Sequence, residues 1–214
     1  MLPAIKGATT TRGIALHCMT VNTFRPFNMS GLRKPQLYSV DDYLQGEQQA
    51  KLRHEFVDGN VFAMAGASAR HNRICIRAVM ALEPMALAKA CQSFMADMKL
   101  RVGNSVYYPD IMVICDSSDT DPMMKSAPCL IIEVLSESTE RADRIEKLQA
   151  YQTISTLRNY LLVAQDARRV ESYRRNGLTW RYESFVDQGE IELDCPAGVI
   201  TLAQMYDGVV PLYA

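Results

Sequence analysis

The chain has no CxxC pair, no apolar run approaching the roughly 20 residues of a membrane span, and no surplus of either charge, its formal net charge being -1 over 214 residues. Without a long apolar run, no membrane insertion is expected; the cytoplasmic location expected for the chain rests on its cysteines. Without CxxC spacing, the six cysteines, Cys18, Cys75, Cys91, Cys115, Cys129 and Cys195, read as reduced core thiols rather than zinc ligands or a disulfide framework. Without a basic surplus, the molecule has no global electrostatic footprint of nucleic-acid binding, and any phosphate-binding surface must be local. Residues 1–40 lack acidic side chains while carrying Lys6, Arg12, Arg25, Arg33 and Lys34. That stretch also lacks an apolar core segment and periodicity, so residues 1–37 read as a disordered extension rather than a targeting segment.

What is present is the make-up of an ordinary globular protein, 48% hydrophobic and 22% charged, large enough for one substantial core. A single domain over 38–214 is expected. Ser39 and Asp42 have capping-box spacing before a short helix, and Asp58-Gly59 joins two strands, HEFV and NVFAM. Ser68 caps a helix expected over 69–90, which Pro84 should kink or break. Strands follow over 94–102 and 106–115, linked by Gly103-Asn104. A loop over 116–128 leads to the strand 129–135, a helix over 139–152 and a strand near 160–163, a β-α-β unit. A hairpin turning at Asn176-Gly177, a strand around Ile191 and a short helix near 202–206 complete a mixed β-sheet flanked by helices, with an added β-hairpin region.

Two acidic residues stand in the apolar runs YYPDIMVIC and CLIIEVLS: Asp110 and Glu133. Alternation in each run gives two apolar faces, the pattern of a central strand covered on both sides. A carboxylate there loses hydration worth several kcal/mol unless a cation compensates it. The compensating group is a metal ion, a lysine or both, and Lys147 on the following helix is the lysine at hand. Hard oxygen ligands of this kind suit Mg²⁺ or Mn²⁺. Such an ion polarises a phosphodiester, and a lysine beside it orients the attacking water. Carboxylates more than about 8 Å apart could not share an ion.

These residues resemble the PD-(D/E)xK nuclease superfamily: Asp110 follows Pro109, and Glu133 centres the second acidic strand. The run E-V-L-S from Glu133 to Ser136, then Asp143, Lys147 and Tyr151 on a helix and Tyr160 in the next strand, is similar to the Uma-two family of bacterial restriction endonucleases within that superfamily. Glu55 and Gly59 in HEFVDGNVFAMAG, and His71 after the Ser-rich turn, fit the same family's N-terminal motif. The likeness spans residues 38–163. It implies a restriction-endonuclease-like fold, Mg²⁺ or Mn²⁺ as cofactor, DNA as substrate and a homodimer. It further implies that Glu55 is a third metal-associated carboxylate beside Asp110 and Glu133. The lysine of the motif would fall at Leu135, and the likeness gives its role to Lys147. His71, Ser136 and Asp143 are secondary site residues.

Each residue also has a structural explanation. Asp143 and Lys147 could be an exposed i,i+4 pair worth about 0.3–0.5 kcal/mol, Glu55 the polar face of a hairpin strand, and His71 a solvated helix histidine. Asp97 and Lys99 alternate on a strand near the site. The local basic clusters are Arg168, Arg169, Arg174 and Arg175, with Tyr173 and Trp180 interleaved, and Arg70, Arg73 and Arg77 on one helix face. The leading expectation is a metal-dependent endonuclease. The alternatives are an inactive nuclease fold that binds nucleic acid or protein, and a hydrolase of another phosphoester.

Overall fold

The computed structural model describes residues 37–211; the expected N-terminal extension lies outside them apart from Leu37. Helix α1 (Val40–Glu47) starts with Ser39 and Asp42 bonded reciprocally as a capping box. Strands β1 (His54–Val57) and β2 (Asn60–Ala63) pair through a tight turn in which Asp58 and Gly59 both take positive φ, 47° and 88°, as a primed hairpin turn requires. Helix α2 (Ala69–Ala88) is capped by the Ser68 hydroxyl and runs through Pro84 rather than breaking there. Pro84 and Met80 are both exposed, so the Met80 carbonyl, which loses its donor to the proline, lies on the wet side of the helix.

Four short strands replace the two long ones expected next: β3 (Gln92–Met95), β4 (Lys99–Val102), β5 (Ser105–Tyr107) and β6 (Ile111–Ile114). A turn at residues 96–97 separates β3 from β4, and Asp97 stands in it with φ 74° rather than on a strand. The run 106–115 is cut at Tyr108-Pro109-Asp110, and its halves join different sheets. Pro109 has no N–H to continue the ladder. Asp110 therefore stands in a bend before β6, not in mid-strand.

The loop that follows contains β7 (Met124–Lys125), and β8 (Pro128–Leu135) is buried along its whole length. The helix after it is not uniform. Helix α3 (Glu140–Ala142), a π-helical turn (Asp143–Lys147) and α4 (Leu148–Gln152) follow without a gap. The chain ends with β9 (Asn159–Ala164), β10 (Arg169–Asn176), β11 (Thr179–Val186), β12 (Glu190–Asp194), β13 (Ala197–Thr201) and α5 (Leu202–Tyr206). The β10–β11 turn proper is Gly177-Leu178, and β13 was not expected.

A six-stranded sheet, ordered β11-β10-β9-β8-β6-β3, is parallel at β8–β9 and antiparallel elsewhere. A five-stranded sheet, β2-β1-β5-β4-β7, and the β12–β13 hairpin complete the mixed α/β fold. One face of the larger sheet (Ile111, Val113, Leu130, Ile132, Val134) packs on α2, α5 and the β12–β13 hairpin. The other (Met112, Ile131, Leu135, Tyr160) meets Tyr151 of α4 and Leu100 and Tyr107 of the smaller sheet. The bend at Asp110 passes from one sheet to the other, which brings β1 of the smaller sheet near β8 of the larger.

Four of the cysteines depart from the expectation of reduced thiols, and Cys18 lies outside the described residues. Cys91–Cys115 and Cys129–Cys195 are disulfide-bonded, and Cys75 is free and buried. No CxxC spacing could reveal this, because register and topology bring the pairs together. Among the described residues, no helix is long and apolar enough to cross a membrane.

Candidate active site

Glu133 is the only charge in β8, and its side chain is 3% exposed. Three donors surround it. Lys147 Nζ lies 3.2 Å and the Tyr151 hydroxyl 3.0 Å from Oε1, and Asp110 N donates to Oε2 at 3.0 Å. Burial pushes the Glu133 carboxyl well above its usual range; the Lys147 charge opposes that, and Asp143, Asp110 and Glu55 add to it.

Lys147 is no exposed helix partner. It is buried, with Glu55 Oε1 at 3.0 Å, Glu133 Oε1 at 3.2 Å and Asp143 Oδ1 at 3.2 Å. Burial alone would lower its pKa, but the charges of Glu133, Glu55 and Asp143 outweigh this and hold it well above the ordinary lysine value, so the group stays an ammonium. The π turn makes the convergence possible. In an α-helix, residues four apart drift about 40° per step, whereas a turn widened to i→i+5, with roughly 4.4 residues per turn, drifts the other way. Asp143, Lys147 and Tyr151 therefore stay on one face, toward Glu133. Asp143 is also buried, and burial raises its pKa. Its Oδ1, one of two buried side-chain oxygens without a hydrogen-bond partner among the described residues, meets Lys147 as a charge contact only.

Asp110 continues the β6–β8 ladder with its side chain. Pairing ends at Ile111 opposite Ile132; beyond it Asp110 Oδ2 accepts from Val134 N at 2.8 Å while Asp110 N reaches Glu133. An aspartate's carboxylate lies within about 4 Å of its own backbone nitrogen, so the two carboxylates are within about 7 Å of each other, short of the separation of about 8 Å that would exclude a shared ion. Glu55 on β1 accepts from Tyr108 N at 3.3 Å and holds Lys147. Ser136 stays out of the cluster: its hydroxyl meets Thr139 and Ser138, and its carbonyl receives Glu140 N, so it begins the helix.

His71 enters the site from the first turn of α2, with Nε2 3.1 Å from Asp110 Oδ2. Burial lowers its pKa, but the hydrogen bond and charge of Asp110 more than reverse this and leave it above 6.5. The stabilisation from this pair is in place at acid pH and is lost as pH rises through the raised value. An NMR titration of the His71 ring should give a midpoint above 6.5, and Asp110→Asn should move it below, because burial remains when the carboxylate is gone. An unchanged midpoint would mean that Asp110 does not hold the imidazole.

The donor set suits a hard cation: it is all oxygen, with four carboxylates against one ammonium, an acceptor on Asp143 without a donor, and Asp110 and Glu55 partly open at 21% and 17% side-chain exposure. Among the described residues, His71, Cys75 and Asp110 bring ligand atoms within 4.8 Å of one another, whereas Glu55, Asp110 and Glu133 do not form such a group. The Lys147 ammonium lies between Glu55 and Glu133.

Most of the basic residues singled out in the sequence make internal contacts, whereas Arg70 and Arg169 are exposed. Arg168 binds Asp207 and the carbonyls of Asp187 and Val210; Arg174 binds Glu192 and Asp194. Arg175 bonds the carbonyls of Leu157, Gln152 and Ile154 and lies 4.4 Å from the centre of the Trp180 ring. Arg73 and Arg77 cap α5 through the carbonyls of Gly208 and Gln204. Lys99 lies over the Tyr108 ring, and Asp97 pairs with Arg53. Sequence reasoning assigned no role to the Tyr151 hydroxyl or to Glu47, a buried carboxylate that holds His54 and the Tyr108 hydroxyl. The available signals for Tyr151 were its i,i+4 step from Lys147 and its place in the family likeness.

Residues 40–202 match a family model, Uma2, described as "Putative restriction endonuclease". Two uncharacterized proteins of Synechocystis sp. PCC 6803 are similar. One, sll1609, is 37% identical over 148 residues, covering 66% of this chain and 83% of its own length. The other, slr1290, is 34% identical over 141 residues, covering 64% and 74%. A solved structure from Anabaena variabilis, described as a "putative nuclease belonging to DUF820", shares the fold with a TM-score of 0.67 at 16% identity, over 80% of this chain and 99% of that one.

Proposed function

The chain belongs to the Uma2 family, and from that premise we propose that it is a metal-dependent endonuclease that hydrolyses DNA phosphodiester bonds at the cluster of Asp110, Glu133, Lys147 and Glu55. The observation that carries this reading is Lys147. Leu135, where the motif would put its lysine, lies in the apolar layer beside Tyr151, yet a lysine from the π turn delivers its ammonium to within 3.2 Å of Glu133.

In this reading Asp110, Glu133 and Glu55 hold Mg²⁺ or Mn²⁺, which when bound polarises the phosphodiester and neutralises charge on the leaving oxygen. The remaining work belongs to side chains. Lys147 orients the attacking water and offers a fixed positive charge to the transition state. Tyr151 and Asp110 N fix the Glu133 carboxylate, and His71 with Val134 N fixes that of Asp110, so both are preorganised. A homodimer would let two such sites address both strands of a duplex.

One observation favours the alternative of an inactive nuclease fold that binds a partner: Lys147 is already paired with three carboxylates, and Arg168, Arg174 and Arg175 are engaged internally. Nicking of supercoiled plasmid separates the two. The wild-type protein should nick only with Mg²⁺ or Mn²⁺, and Asp110→Asn, which retains a ligating oxygen, should be slower by at least about tenfold. No nicking with either ion, or equal rates for both proteins, would assign the chain to the inactive class.

A further inference from the structure

Four sulfurs meet at the end of β8 away from Glu133. Cys91 precedes β3, Cys115 follows β6, Cys129 lies in β8, and Cys195 stands in the turn between β12 and β13. Gln92 pairs with Ile114, so Cys91 faces Cys115 across the ladder with Cα atoms 4.2 Å apart. The β6–β8 ladder closes with Ile114 opposite Pro128, which brings Cys129 alongside. The β12–β13 hairpin packs on the same apolar layer and carries Cys195 to a Cα separation of 5.6 Å from Cys129. Between the two disulfides, Cys115 Sγ is 3.4 Å from Cys129 Sγ and 3.2 Å from Cys195 Sγ. The sulfurs of Cys91, Cys115 and Cys195 all lie within 4.8 Å of one another.

Two disulfides that only cross-link the chain have no reason to share one spot, since each restrains its own loop wherever it sits. Four sulfurs from four separate segments gathered at one place approach instead the arrangement of a tetrahedral thiolate site, which they would reach once the two bonded pairs open. With Zn–S near 2.3 Å, the sulfurs of such a site stand about 3.8 Å apart; Cys115 is near this distance from Cys129 and Cys195, at 3.4 and 3.2 Å, while Cys129 lies outside the group that Cys91, Cys115 and Cys195 form within 4.8 Å. Cys91 and Cys129 are buried, while Cys115 and Cys195 are partly exposed, which leaves an approach for a cation. No other side chain is needed to complete the set.

We propose that Cys91, Cys115, Cys129 and Cys195 form a structural zinc site, which the two-disulfide form enters on reduction. Two equivalents of a dithiol reductant convert the two disulfides to four cysteine thiols, becoming two cyclic disulfides themselves. The four thiols then bind one Zn²⁺ as thiolates and release four protons. The ion ties β3, β6, β8 and the C-terminal hairpin together in a reducing compartment, where the disulfides would not last.

The test uses the full chain purified anaerobically with dithiothreitol and without chelator. Metal analysis should give about one zinc per chain, and Co²⁺ exchanged for it should show thiolate-to-metal charge-transfer bands and the visible bands of a tetrahedral ion. Cys115→Ser and Cys195→Ser should lose the zinc, whereas Cys75→Ser should keep it. That last variant excludes zinc held by His71, Cys75 and Asp110. If the serine variants fail to fold, the cobalt spectrum of the wild-type protein still decides. Zinc absent from protein whose cysteines are all reduced, zinc lost only in Cys75→Ser, a cobalt spectrum without thiolate bands, or an iron–sulfur chromophore would each overturn the proposal.

Discussion

Lys147→Met is expected to lower the unfolding free energy at pH 8 by about 3–5 kcal/mol, the range for removing one partner of a buried ion pair. For a domain of this size that is a fall of roughly 6–20 °C in Tm. Methionine keeps the length of the stem as far as Cε and removes the ammonium with its three N–H donors, which leaves Glu133, Asp143 and Glu55 facing one another at 3%, 3% and 17% side-chain exposure. The loss should depend on pH in a defined direction. Glu133 and Asp143 already have raised pKa values in the folded protein, and loss of the ammonium raises them further. Groups of this kind favour the folded state when protonated, and that contribution fades as pH rises through their folded-state values. The deficit of Lys147→Met should therefore be smaller at pH 5 than at pH 8, and Glu133→Gln added to it should recover part of the stability. Circular-dichroism melts of the three proteins at both pH values measure this. A single variant as stable as wild type at pH 8 would show that the ammonium is not what compensates the carboxylates.

The parts of this fold legible in the sequence are those fixed by neighbours along the chain. Ser39 with Asp42, Ser68 and Asp58-Gly59 each act within four residues, and all three were found at the expected element ends. Glu133 was legible because one charge in eight buried residues has no local explanation. Asp110 was half legible. Its apolar flank hid the bend that Pro109 forces, and with it the passage between sheets that puts Glu55 on a neighbouring element. The π turn could not be read from its own residues, since it exists to keep Asp143, Lys147 and Tyr151 on the Glu133 side, a demand set by β8. The internal contacts of Arg73, Arg77, Arg168 and Arg174 were hidden for the same reason: a cluster of like charges in sequence says nothing of carbonyls and carboxylates arriving from α5, the residues after it and the β12–β13 hairpin. The likeness to the Uma-two family supplied what spacing could not, naming Glu55 and Lys147 together before any geometry joined them.

Glu133→Gln should separate stability from activity, the second large effect. Glutamine fills the same volume and keeps an acceptor for the Tyr151 hydroxyl or Asp110 N, while Lys147 retains Glu55 and Asp143. Because burial raises the Glu133 pKa, its stabilising contribution belongs to low pH and is lost as pH rises through the raised value; glutamine has no such dependence. The Tm of the variant relative to wild type should therefore climb between pH 5 and pH 8. Metal-dependent nicking should move the other way, falling by about a hundredfold to a thousandfold, the scale on which one preorganised electrostatic group acts in a dry site. A residue that only supported the fold would lose stability and activity together, and one that was dispensable would lose neither. Activity lost with stability kept or gained is the outcome that the proposed function predicts for a charge held in a buried strand against its own solvation.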